Sequence, residues 1–64
     1  MLPFVYYNKI YYLKICDYLI EVFDSSYQFK ESIELNVLED IYNQTNDRSN
    51  YYSLLYELYC FSIR

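Results

Sequence analysis

Residues 9–24 read KIYYLKICDYLIEVFD, and how they are read decides the fold. Projected at about 100° per residue, Lys14, Asp17, Glu21 and Asp24 fall on one narrow face. Tyr12, Ile15, Cys16, Leu19, Ile20 and Phe23 fill the broad opposite side. That is the pattern of an amphipathic helix. The rival is a strand through Ile10–Ile15. A strand needs side chains that alternate between two faces, and Asp17–Phe23 does not alternate. The expectation is therefore a first helix over 9–24, with Asn8 as its N-cap.

The flanking segments extend the same reading. Pro3 holds Leu2 extended, and Phe4–Tyr7 favour β structure, so the N-terminus is expected to be an extended arm laid over the core. Ser25 followed by Gln28 fits a capping box that opens a second helix over 26–43. Its apolar stripe is Phe29, Ile33, Val37 and Ile41, joined by Leu38. QTNDRSN, residues 44–50, is wholly polar and rich in turn formers, which makes it a loop. With no glycine in the chain, any positive φ in that loop should fall on Asn or Asp. Asn50 or Ser49 then caps a third helix over 50–63. The expected fold is all-α: one domain spanning 1–64, with an arm and three helices. The alternative is an α+β domain with a small sheet from 4–7 and 33–37, suggested by the alternation in SIELNVL.

The last helix has more to bury than two neighbours can cover. Ser53, Glu57, Cys60 and Arg64 form its only substantially polar face. Leu54, Leu58 and Phe61 are expected to pack on the first two helices. Tyr52, Tyr56 and Tyr59, with Leu55 behind them, are the expected protein-interface residues. Tyrosine is a residue that interfaces favour, and a closed homodimer is the simplest way to cover such a face. The competing expectation has the Phe4–Tyr7 arm covering Tyr56 and Tyr59 within the monomer.

Composition bounds the chemistry. Aromatic residues make up 23% of the chain, too many for a disordered segment. A chain of 64 residues has a marginal core and usually needs a disulfide, a metal or a partner. There is no histidine, and Cys16 and Cys60 form no CxxC pair, so no metal or other cofactor is expected. The two cysteines read as thiols rather than a disulfide, with Cys16 buried on the first helix and Cys60 the more reactive. No histidine stands ready to activate either one, and the glycines of phosphate-binding and dinucleotide-binding loops are missing. No catalytic residue, enzyme activity or small-molecule substrate is expected.

The net charge of −4 argues against nucleic acid and anionic membrane surfaces as partners. No segment has the roughly 20 apolar residues needed to cross a membrane, and MLPFVYYNK lacks the basic start of a signal peptide. A cytoplasmic or nuclear protein is expected, and the sequon at Asn43 has no role there. Tyr7–Ile10, Tyr12–Ile15 and Tyr52–Leu55 match the short YxxΦ docking pattern, as chance dictates in a chain with 11 tyrosines.

In size, acidity and Tyr/Asn/Ile bias the chain resembles small accessory proteins of large AT-rich DNA viruses. The expected function is a non-enzymatic protein–protein interaction module, an inhibitor or adaptor of a larger protein or a self-associating one. The alternative is a structural or assembly subunit stable only within a complex.

Overall fold

The structure, a computed structural model, describes residues 1–63. They form two compact units, Met1–Ile33 and a second that begins at Glu34. The first is an antiparallel sheet and the second a helical hairpin. The chain is thus α+β, and the expected all-α three-helix architecture is wrong.

Strands β1 (Leu2–Tyr6), β2 (Lys9–Ile15), β3 (Leu19–Phe23) and β4 (Phe29–Glu34) form one sheet in the order β1-β2-β3-β4. The expected N-terminal arm is strand β1, paired along its length with β2 from Leu2↔Leu13 to Tyr6↔Lys9. The expected first helix is the β2–β3 hairpin. Lys14 and Glu21 misled because they sit symmetrically about a turn. Lys14 lies opposite Glu21 and Tyr12 opposite Phe23, while Asp17 and Tyr18 make the turn itself. There the Cys16 N–H donates to the Leu19 carbonyl at 2.9 Å. Mirror pairing about such a turn and a helical period of three to four residues place these charges alike. Propensity separates the two readings. Ile10, Tyr11, Tyr12, Ile15, Ile20, Val22 and Phe23 are β-branched or aromatic, crowded in a helix and well suited to a pleated sheet. The alternation test failed because it ran across the turn.

Two further turns close the sheet without glycine. Tyr7 (φ 48°) and Asn8 (φ 63°) form a two-residue loop of the I′ kind, whose twist matches the flanking strands. The pair next to such a loop exchanges both backbone hydrogen bonds, and bonded pairs alternate outward from it. Pro3 therefore falls at a non-bonded position on an edge strand, where its missing N–H removes no ladder bond. Between β3 and β4, Ser25, Ser26 and Tyr27 form a three-residue loop. Tyr27 (φ 65°) takes the left-handed position, and the Asp24 carboxylate accepts from the Ser26 N–H (2.8 Å) and the Gln28 N–H (3.0 Å).

The second unit joins α1 (Leu35–Gln44) to α2 (Tyr51–Ser62) through residues 45–50. Helix α1 occupies only the last part of the expected 26–43 helix, because β4 takes residues 29–34. The loop and α2 lie where the sequence placed them. Asn50 is the N-cap, its side chain accepting from the Tyr52 N–H at 2.8 Å. Asp47 bonds the Ser49 N–H (3.0 Å) and hydroxyl, and Arg48 donates to the Tyr42 carbonyl at 2.7 Å. Among the described residues no positive φ falls in this loop. Leu38 of α1 and Leu55 of α2 are buried. No helix among the described residues is long and apolar enough to cross a membrane.

Candidate functional site

Alternation along the strands sorts the sheet unit into two faces. Phe4, Leu13, Ile20 and Val22 share one face and are all buried. The register places Val5 opposite Ile10, and Tyr12 opposite Phe23, on the other face. Two more rings join that row. Tyr27 stacks on Tyr12 with centroids 4.6 Å apart, and Phe29 meets Phe23 edge-on at 5.9 Å. Val5 is 62% exposed, Ile10 50%, Tyr27 62% and Phe29 57%, so the flanks of this row face solvent, while Tyr12 and Phe23 between them are half-buried. The Tyr12 hydroxyl is pushed above the usual tyrosine range, first by its hydrogen bond to Tyr27 and then by that neighbour's charge. The Tyr12 hydroxyl therefore remains a neutral donor at physiological pH.

The rim of this face carries few charges. Lys14 and Glu21 oppose each other across β2 and β3. Beside them the Cys16 thiol donates to Glu21 at 3.5 Å. Partial desolvation, and then that hydrogen bond, push the thiol above its ordinary range. Cys16 is half-buried beyond the end of β2, not buried on a helix as expected. Both cysteines are free thiols. At the turn end of the sheet, Lys9, Lys30, Tyr11 and Asp24 help to line an open cleft of about 630 Å³, with the Lys30 ammonium 5.2 Å from the Tyr11 ring centre. Among the described residues no group of three or more metal-binding side chains comes together.

The four residues expected at an interface lie on α2, Leu55 in the core and the three tyrosines half-buried. Tyr52 is half-buried and meets Tyr51 edge-on at 5.2 Å. Tyr56 and Tyr59 are half-buried and adjacent, 6.3 Å between centroids, and Tyr56 also packs on Tyr42 of α1 at 4.7 Å. The side of α2 read as its polar face turns toward α1 and the loop. Ser53 is buried, with its hydroxyl 3.4 Å from the Asp47 carbonyl, and Glu57 accepts from the Tyr42 hydroxyl at 3.4 Å. Leu54 and Leu58 are half-buried, and Phe61, expected in the core, is 73% exposed. The sheet's aromatic row was missed because Tyr12 and Phe23 had been placed on the buried side of a helix. The signal that reveals it is the pairing of 12 with 23 and 14 with 21 about one turn.

In comparisons with known proteins, no protein-family model matches the chain, and neither a curated protein nor a solved structure matches it.

Proposed function

We propose that this chain is a non-enzymatic protein-binding module, and that the open aromatic face of its sheet is the surface a partner covers. The observation that carries this reading is Tyr27. A bulky side chain at positive φ is an outlier that lowers stability, and such strain gathers at functional sites. Here the strained residue sends its ring to the exposed end of the aromatic row rather than into a core. Aromatic side chains suit a protein interface, where they anchor in the partner's apolar pockets. Large exposed apolar residues side by side on one sheet face, with few charges at the rim, favour a protein partner over nucleic acid.

The test places a photo-crosslinking phenylalanine analogue at Phe29 and, in a second variant, at Val37 of α1, which is also exposed. Crosslinking in native cells should give a discrete protein adduct from position 29 and not from 37. Phe29→Ser should remove the co-purifying partner and leave the circular dichroism spectrum unaltered. Equal adducts from both positions, or co-purification that survives Phe29→Ser, would refute the proposal.

A further inference from the structure

The helical hairpin carries a second candidate site, unrelated to the sheet face. Tyr56, Glu57, Cys60 and Phe61 lie at relative positions i, i+1, i+4 and i+5 of α2, which places them on one side of the helix. With Tyr42 of α1 they line a cleft of about 410 Å³. Three aromatic rings and one carboxylate thus share a single concavity. The carboxylate is fixed in place, since Glu57 accepts from the Tyr42 hydroxyl. The Tyr56 hydroxyl is held neutral by burial and then by the Cys60 thiol beside it.

Aromatic faces attract cations through their quadrupole, and a carboxylate in the same wall adds a full opposite charge. The hairpin already makes half of this interaction for itself. The Arg48 guanidinium lies 3.8 Å from the centre of the Tyr42 ring. The surroundings favour the same sign of ligand: among the described residues of this unit, Glu34, Glu39, Asp40, Asp47 and Glu57 stand against Arg48. An anionic ligand would meet repulsion here, and an uncharged one would leave the carboxylate without a counter-charge.

We infer that the Tyr42–Tyr56–Glu57–Phe61 cleft is a recognition site for a cationic side chain, the guanidinium of arginine or the ammonium of lysine, presented by a partner protein. The cation sits against the rings and pairs with Glu57. Cys60 forms part of the wall and takes no chemical role. The site is shallow, with Phe61 open to solvent, so an isolated side chain binds weakly and the cleft supplies specificity within a larger contact.

The test follows tyrosine and phenylalanine ring signals of the full chain by 1H–13C NMR during peptide titrations. The probes are the capped tripeptides Gly-Arg-Gly and Gly-Lys-Gly. Their uncharged counterparts carry citrulline and norleucine in the central position. Rings of Tyr42, Tyr56 and Phe61 should shift saturably with a cationic peptide, and its affinity should exceed that of the neutral counterpart by about tenfold. Glu57→Gln, which keeps an acceptor for Tyr42, and Phe61→Ser, at an exposed position, should each lower the affinity severalfold. Equal binding of charged and neutral peptides would overturn the assignment. So would ring shifts no larger than those of Tyr12 and Tyr27, or affinity untouched by both substitutions. Because Phe29 plays no part in these measurements, this assignment and the sheet-face reading can fail separately.

Discussion

Replacing Tyr27 by Asn should stabilise the chain while weakening partner binding. Tyr27 sits at φ 65°, where a non-glycine residue costs about 1–2 kcal/mol. Asn visits this region readily and recovers much of that cost. Against it stand the lost stack on Tyr12, at 4.6 Å between centroids, and the lost hydroxyl bond to the same residue. Aromatic pairs contribute about 0.5–1.5 kcal/mol, and a ring 62% exposed belongs near the lower end. The difference is a gain of up to about 1 kcal/mol. In a domain of this size that raises the melting temperature by up to about 8 °C. Tyr27→Gly relieves the backbone fully, but it also frees the unfolded chain, so it should fall about 0.5 kcal/mol below Asn. Tyr27→Phe keeps both the strain and the stack and loses only the hydroxyl bond, so it should stay within about 0.5 kcal/mol of the parent. Urea unfolding of the three variants, followed by circular dichroism and tyrosine fluorescence, makes the comparison. A loss above about 1 kcal/mol in both Asn and Gly variants would show that the ring is held for packing, and the argument from strain would collapse.

Two other expectations are independent of the aromatic face. Asn50→Ala removes the acceptor for the Tyr52 N–H and should cost about 1 kcal/mol, with faster amide exchange confined to the first turn of α2; an unaltered exchange rate at Tyr52 would discount the cap. Cys16 should be alkylated more slowly at pH 8 than an unstructured thiol, and Glu21→Gln should speed it by removing the carboxylate that favours the protonated form. A raised folded-state pKa also fixes the sign of the linkage. This stabilisation is fully present below the unfolded thiol value of about 8.5 and is lost as the pH rises through the folded value. The urea midpoint should thus fall more between pH 8 and 10 in the parent than in Cys16→Ser, and equal falls would contradict the shift.

The second half of the chain was legible and the first half was not, for a physical reason. In residues 44–50 the polar run is unbroken, and Asn50 precedes a long apolar helix, so loop, cap and α2 follow from local chemistry. In residues 9–23 both sheet faces carry large apolar side chains, because the aromatic row mirrors the buried one. Alternation between apolar and polar, the usual strand signal, is lost when both faces are apolar. What remains is the β-branched and aromatic content, a propensity that tertiary context can override and that was weighed below periodicity. The polar face of α2 is a different case. Ser53 and Glu57 are polar, yet the loop carbonyl of Asp47 and the hydroxyl of Tyr42 offer them partners on the inner side. A polar residue can face inward wherever its hydrogen bond is met.

The absence of glycine explains why the hairpins were invisible and where their cost is held. Tight hairpins need left-handed residues, and sequence rules look for Gly, Asn or Asp there. Among the described residues the positive-φ positions are filled by Tyr7, Asn8 and Tyr27, so only Asn8 gave a turn signal, and that was read as a helix cap. The two loops involved lie at the same end of the sheet. Asn8 and Lys9 from one, and Asp24 and Ser25 from the other, line one cleft. The opposite end turns through Asp17 and Tyr18, neither of which has positive φ. Backbone strain is therefore concentrated at one end. Each strained tyrosine there turns its ring against another, Tyr7 on Tyr6 at 4.5 Å and Tyr27 on Tyr12 at 4.6 Å. Ring contact offsets part of the strain locally, but both rings remain mostly exposed, so apolar burial cannot supply the remainder. A partner that covered Tyr27 would bury that surface and offset the strain at the same stroke. On this account the bound state, more than the isolated fold, gives a reason for tyrosine at a position where asparagine would be more stable.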